Sequence, residues 1–147
     1  MIIYIIGDVL DSSESIVVHG CNCRNTMGSG FAKQVKMKCP NAYIADQMTV
    51  RGDKSKLGKF SYGIELNGMT IVNAYTQFDY GRDKVQIDYK SLEEAMIKIC
   101  EHFPDEIIAM PKIGSGLAGG DWNIISEILE KVSNKYNKTF HVYSLAP

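Results

Sequence analysis

Residues 110–122 read MPKIGSGLAGGDW. Just upstream, residues 106–110 (Glu-Ile-Ile-Ala-Met) form an apolar run suited to a buried strand. Downstream, Ile124, Ile125, Ile128, Leu129 and Val132 recur at helical spacing. Between them stand four glycines in seven residues: Gly114, Gly116, Gly119 and Gly120. A strand, a glycine loop and a helix start make an anion site. Glycine lets the backbone approach a phosphate closely. Unpaired N–H groups at the helix start face it, and the helix dipole favours negative charge there. Glycines also mark plain turns, but four in one short loop favour a ligand loop.

A second unit of the same kind precedes it. Residues 16–18 (Ile-Val-Val) read as a short buried strand that runs into HGCNCRNTMGSG at 19–30. Phe31, Ala32, Val35 and Cys39 then give a helical stripe, with Pro40 as its stop. Two such loops can bracket a diphosphate from opposite sides.

The rest of the chain supplies the frame. Ile2–Ile6 is an apolar, partly β-branched run and reads as a buried strand ended by Gly7-Asp8, where Asp8 is a turn residue. Residues 41–59 are polar, with a short helix expected at 43–48 and a solvated loop at 51–56. Phe60, Tyr62, Ile64 and Leu66 alternate with Ser61, Gly63 and Glu65, which predicts a strand with one buried face. Asn67-Gly68 predicts a type I′ hairpin, with residues 69–74 as the antiparallel partner strand. Residues 75–82 read as a loop of aromatic and polar groups suited to covering a ligand or anchoring on the core. Leu92, Ala95, Met96, Ile99, Cys100 and Phe103 form an amphipathic helix face, started by a Ser91/Glu94 capping box or by Asp88. Residues 140–145 give a last strand. This order predicts one three-layer α/β/α domain over 1–147 with a mixed central sheet. In such folds ligands bind outside the carboxyl ends of strands.

Composition narrows the function. A net charge of −1 gives no support for bulk nucleic-acid binding. No apolar run is long enough to span a bilayer, and the N-terminus has no basic flank and reads as a first strand, not a signal peptide. The four cysteines form no CxxC pair, so reduced thiols in a cytoplasmic protein are expected, with no metal site and no cofactor. A monomer is favoured. Gly114 to Gly119 fits G-x-G-x-x-G, but the next strand ends without the acid a dinucleotide site needs. No P-loop spacing and no G-x-S-x-G elbow is present. Two groups beside the anion loops carry chemistry. His19 follows the first strand of its unit and titrates near neutrality in ordinary surroundings. Asp121 ends the second loop, as a helix cap or as a carboxylate able to orient a histidine or activate water.

Gly7-Asp8, Val18-His-Gly-Cys-Asn22, Met27-Gly-Ser-Gly-Phe-Ala32, Met110-Pro-Lys-Ile-Gly-Ser-Gly-Leu117 and Asp121-Trp122 together resemble macrodomains. They are closest to the subgroup of terminal ADP-ribose glycohydrolase and the ADP-ribose-1″-phosphate phosphatases. The resemblance spans nearly the whole chain. It implies that Asp8, with Val9, holds the adenine end and that Asn22 bonds the distal ribose. Met27, Gly28, Ser29, Gly30, Phe31 and Ala32 match the first loop. Ile113, Gly114, Ser115, Gly116, Leu117, Ala118 and Gly119 match the loop that wraps the diphosphate, with Gln77 nearby. His19 and Asp121 match positions linked with phosphatase activity. One departure stands out: the glycohydrolase relative uses a lysine soon after the strand matching residues 69–74, and here no lysine precedes Lys84. The resemblance therefore implies an ADP-ribose-1″-phosphate phosphatase. The alternatives are a hydrolase that removes ADP-ribose from modified protein or nucleic acid, and a non-catalytic ADP-ribose reader.

Overall fold

The computed structural model describes residues 1–81, 83–116 and 118–146. Its strands are β1 (Ile2–Ile6), β2 (Ile16–Asn22), β3 (Phe60–Ile64), β4 (Thr70–Gln77), β5 (Ile107–Pro111) and β6 (Thr139–Ser144). Its helices are α1 (Gly30–Lys38), α2 (Pro40–Gln47), α3 (Tyr89–His102) and α4 (Trp122–Lys135). The strands form one sheet in the order β1-β6-β5-β2-β4-β3. Only the β3–β4 pair is antiparallel.

Helices cover both faces, so the domain is a three-layer α/β/α sandwich. Ile16 and Val18 of β2 join Leu92, Met96, Ile99, Ile125 and Leu129 in a core beneath α3 and α4. Val17 and Cys21 point the other way, to a second core with Val35 of α1 and Ala42 of α2. β2 is buried on both faces, as its continuous apolar start requires.

Several elements differ from the sequence reading. β2 does not end at Val18 but continues to Asn22, so His19 is a strand residue. Pro40 does not simply stop a helix; it opens α2 at the first helical position, where its missing N–H costs nothing. β1 is the sheet's edge and not a buried strand: Ile3, Tyr4 and Ile6 are exposed, Ile6 at 63%. Tyr75 and Thr76 belong to β4 and are buried, so Tyr75 is a core residue and no ligand cover.

In β3 the faces are reversed. Gly63 and Glu65 are buried, whereas Tyr62, Ile64 and Leu66 are exposed. The start of α2 explains this. Glu65 accepts hydrogen bonds from Asn41 N (3.1 Å) and Ala42 N (2.9 Å). These are orphan donors of the first helical turn. A Cβ on Gly63 would overlap Ala42 N and Asn41 C. The polar face is therefore the one the helix covers.

The hairpin forms, but not as type I′. Gly68 N donates to Glu65 O and Glu65 N to Met69 O, each at 2.9 Å. Gly68 has φ +90°, and Asn67 is not among the non-glycine residues with positive φ. This is a three-residue loop ending in a left-handed glycine.

Gly63→Ala should therefore cost about 1–3 kcal/mol, the usual range for overpacking. Ile64→Thr on the exposed face should stay within about 0.5 kcal/mol. Urea unfolding of both variants beside wild type checks this; equal costs would contradict the reversed face.

Candidate functional site

β5 and β2 are parallel neighbours, so the segments that leave them emerge side by side. Between these segments lies a cleft of about 750 Å³. The end of β2, residues 28–32, the end of β4 and the loop after β5 form its walls.

The first wall is the start of α1. Ser29 is the N-cap but makes no side-chain cap hydrogen bond. Lys33 N donates to Ser29 O. The N–H groups of Gly30, Phe31 and Ala32 have no partner among the described residues. Gly30 takes φ +61°, which favours glycine.

The second wall is the loop after β5. Gly120 N donates to Gly114 O (2.8 Å) and Gly119 N to Gly116 O (3.1 Å), so the loop closes on itself. Gly114 has φ +78°, and a Cβ there would overlap Ile87 Cδ1. The N–H groups of Gly114, Gly116 and Ala118 have no partner among the described residues. Both walls thus carry unpaired backbone donors on residues that line one space, an arrangement suited to an anion.

Lys112 adds charge. It is the one Lys, Arg, Asp or Glu among the described residues lining the cleft, and its Nζ lies 5.7 Å from the centre of the Trp122 ring. No carboxylate lines the cleft among those residues. Sequence reasoning did not single out Lys112 or Thr26, whereas Tyr80 and Gly81 come from the 75–82 loop read as suited to covering a ligand. A lone lysine beside a glycine loop carries no pattern, although the adjacency itself was a usable signal.

His19 lines the cleft floor while remaining 1% exposed. Its Nε2 lies 2.7 Å from Asn73 Oδ1, and the Phe31 ring centre is 5.7 Å away. Burial lowers its pKa from 6.5 to about 4, against a smaller upward pull from the Asn73 hydrogen bond. The imidazole is neutral at pH 7.

Asn22 also lines the cleft, but its amide ties the loop together. Nδ2 donates to Thr26 O (3.1 Å) and Thr26 Oγ1 (2.9 Å), and Oδ1 accepts from Arg24 N (2.9 Å).

Of the other residues expected at the site, Gly28, Ser29, Gly30, Phe31, Ala32, Gln77, Ile113, Gly114, Gly116 and Ala118 line the cleft. Val9 and Met27 are buried in the second core. Ser115 and Gly119 belong to the loop but are not among the lining residues. Leu117 lies outside the described residues.

Asp121 is exposed and caps α4, its Oδ1 accepting from Asn123 N at 2.9 Å. It is not among the lining residues, and it shares no hydrogen bond with His19. The structure does not assemble the two as a pair.

Asp8 caps the 3-10 turn Val9–Asp11 through Leu10 N (3.0 Å), and Lys38 Nζ lies 3.9 Å from it. It stands at the carboxyl end of β1. Three strand spacings separate β1 from β2, roughly 14 Å at the usual spacing.

The protein-family model described as Macro domain matches residues 18–129. An uncharacterised 17.5 kDa protein of Enterobacteria phage T4 is 36% identical over 142 residues, covering 90% of this chain and 90% of its own length. The ADP-ribose 1″-phosphate phosphatase of Debaryomyces hansenii is 30% identical over 178 residues, covering 97% of this chain and 99% of its own length. A Thermosipho africanus DNA ADP-ribosyl transferase–DNA ADP-ribosyl glycohydrolase fusion protein is 24% identical over 155 residues, and the match spans 93% of this chain and 40% of that protein. A solved structure described as Thermosipho africanus DarTG in complex with ADP-ribose superposes with a TM-score of 0.78 at 21% identity, covering 97% of this chain and 41% of that one. By sequence match and by architecture, the chain belongs to the Macro domain family.

Proposed function

We propose that the chain binds ADP-ribose in the cleft and hydrolyses ADP-ribose-1″-phosphate to ADP-ribose and phosphate. The observation that carries this reading is the convergence of two sets of unpaired backbone amides on one cleft. The near full-length match to a phosphatase of that name supports the choice of reaction.

The amides of the 28–32 and 113–119 segments hold the diphosphate, and Lys112 offsets its charge. Asp8 takes the adenine end, at a distance suited to an extended dinucleotide-like molecule. Asn22 shapes the wall around the distal ribose. Asp121 is the carboxylate that activates water. Capping engages its Oδ1, which leaves Oδ2 to take a proton as water attacks phosphorus and the bond from phosphorus to the ribose oxygen breaks; the leaving oxygen then takes a proton to become the hydroxyl of ADP-ribose, and the carboxylate is restored. His19 acts as a neutral group, since burial disfavours its charged form.

The Thermosipho relative favours a second reading, release of ADP-ribose from modified DNA or protein in the same cleft. There Asp121 assists cleavage at C1″.

Asp121→Asn separates chemistry from capping, because asparagine caps about as well as aspartate. Phosphate release from ADP-ribose-1″-phosphate should fall at least about 100-fold, with stability and ADP-ribose affinity nearly unchanged. Asp121→Ala should lose about 1 kcal/mol of stability as well. Wild-type turnover in Asp121→Asn would reduce the residue to a cap. Binding without phosphate release would direct the assay to ADP-ribosylated DNA and protein, and then to a reader.

Neutral His19 also links stability to pH. The unfolded chain takes up this proton near 6.5 and the folded protein only near 4. The unfolded state therefore binds more protons between those values. Stability present above pH 6.5 is lost as pH falls, by about 3 kcal/mol at pH 4. Urea unfolding at pH 7 and pH 4.5 should show a loss that His19→Gln largely lacks. Equal losses in both proteins would place the His19 proton elsewhere.

A further inference from the structure

A continuous line of buried and part-buried hydrogen bonds leads away from the cleft floor. His19 Nε2 meets Asn73 Oδ1 at 2.7 Å. Asn73 Nδ2 donates to Ala42 O (2.9 Å) and Ser61 Oγ (3.0 Å). Ser61 Oγ lies 2.8 Å from Tyr75 Oη, which donates to Asp46 Oδ1 at 2.8 Å. Asn73, Tyr75 and Asp46 are buried. The line crosses from β2 through β4 and β3 to α2.

Its polarity is fixed at one point. The Ala42 carbonyl cannot donate, so the end of the Asn73 amide that faces it is the nitrogen. The other end, Oδ1, faces His19 and cannot donate either. His19 Nε2 must therefore carry the imidazole proton. In the neutral ring Nδ1 is then an acceptor. Cys21 Sγ lies 3.8 Å from Nδ1 and 3.5 Å from Nε2 and is a weak donor at most.

The far end anchors this polarity. Ser61 Oγ accepts from Asn73, so its own hydrogen turns to Tyr75, whose hydroxyl hydrogen goes to Asp46. Every donor in the line points from Asn73 toward the carboxylate. The nearby cation, Lys56, donates to Asn25 and Thr49 and sits 5.0 Å from the Tyr75 ring centre. Buried polar lines of this kind are costly unless every member is satisfied, and satisfied they are rigid.

We propose that Asn73 is a positioning residue, anchored by Ser61, Tyr75 and Asp46, which holds His19 so that Nδ1 serves as an acceptor for an O–H group of ligand or water. This rests on the cleft being the ADP-ribose site. It deepens that reading by assigning His19 a partner chemistry. A lone pair repels a bare phosphate oxygen and takes a hydroxyl. The two available sources are a distal ribose hydroxyl and the attacking water.

The test is a long-range ¹H–¹⁵N correlation spectrum of the wild-type chain at pH 7. His19→Gln identifies the His19 signals beside those of His102 and His141. The expected pattern is a protonated Nε2 and an unprotonated Nδ1; the opposite pattern overturns the proposal. Asn73→Leu should convert His19 to a mixture of tautomers. Asn73→Asp, whose carboxylate still accepts from Nε2–H, should restore the wild-type pattern. Phosphate release should fall in Asn73→Leu by about tenfold, one hydrogen bond's worth. A fall in kcat alone marks water as the donor and a rise in KM marks the ribose hydroxyl; each supports the acceptor role. Loss of melting temperature with tautomer and kinetics unmoved would make Asn73 a merely structural residue and overturn it. If the wild type releases no phosphate, the reaction assigned above fails by itself. The Nδ1 shift on adding ADP-ribose still decides this inference: movement upholds it, and none overturns it.

Discussion

The site depends on the position of β2. It lies between β5 and β4, parallel to both, and buried on both faces. Parallel pairing puts the carboxyl ends of neighbouring strands on one side. The segment after β2 and the loop after β5 therefore cannot avoid each other. Each brings backbone donors that its own structure leaves unpaired. The cleft follows from this pairing, with glycine-bearing segments on both walls.

The same position sets a problem for every polar residue beyond Val18. The strand keeps going, so His19 and Asn22 are held in the interior, where an unpaired polar group costs about 1–3 kcal/mol. The register supplies the answer for His19, which stands opposite Asn73 on β4. Asn22 is satisfied by the turn it starts, through Thr26 and Arg24. Burial then changes what His19 can do. It becomes an uncharged group at neutral pH.

The layer order, both glycine loops, the helical stripes of α3 and α4, and the antiparallel hairpin were legible because each rests on local chemistry. Periodicity marks an apolar face, and Asn-Gly marks a reversal. What stayed hidden depends on partners distant in sequence. The run Ile2–Ile6 reads the same at an edge as in a centre. In β3, alternation separates two faces but cannot tell which one a helix will cover. There Gly63 and Glu65 won over Tyr62 and Ile64 because α2 needed space and an acceptor for its first turn. At the site, the glycine loops led to most lining residues. Asn73 gave no signal, since an asparagine between apolar neighbours reveals its role only when Ala42 and His19 stand on either side. For Asp121 the bland reading as a helix cap was legible from position alone, and the structure contains that cap.

Net charge was a poor guide to ligand charge, for a physical reason. The chain carries −1 overall, yet the described lining of the cleft has one lysine and no carboxylate. Most of the attraction comes from peptide dipoles, which formal charge does not count. Dipoles fixed in two facing loops act over a short range and in set directions. A lysine-rich surface would attract any polyanion, with strong salt dependence. Two walls of oriented N–H groups instead favour an anion of matching length and shape, and a diphosphate between two riboses has that form. The acceptor proposed at His19 would add a second condition, a hydroxyl beside the ligand's charge. A cleft built this way would recognise the sugar and the phosphate together.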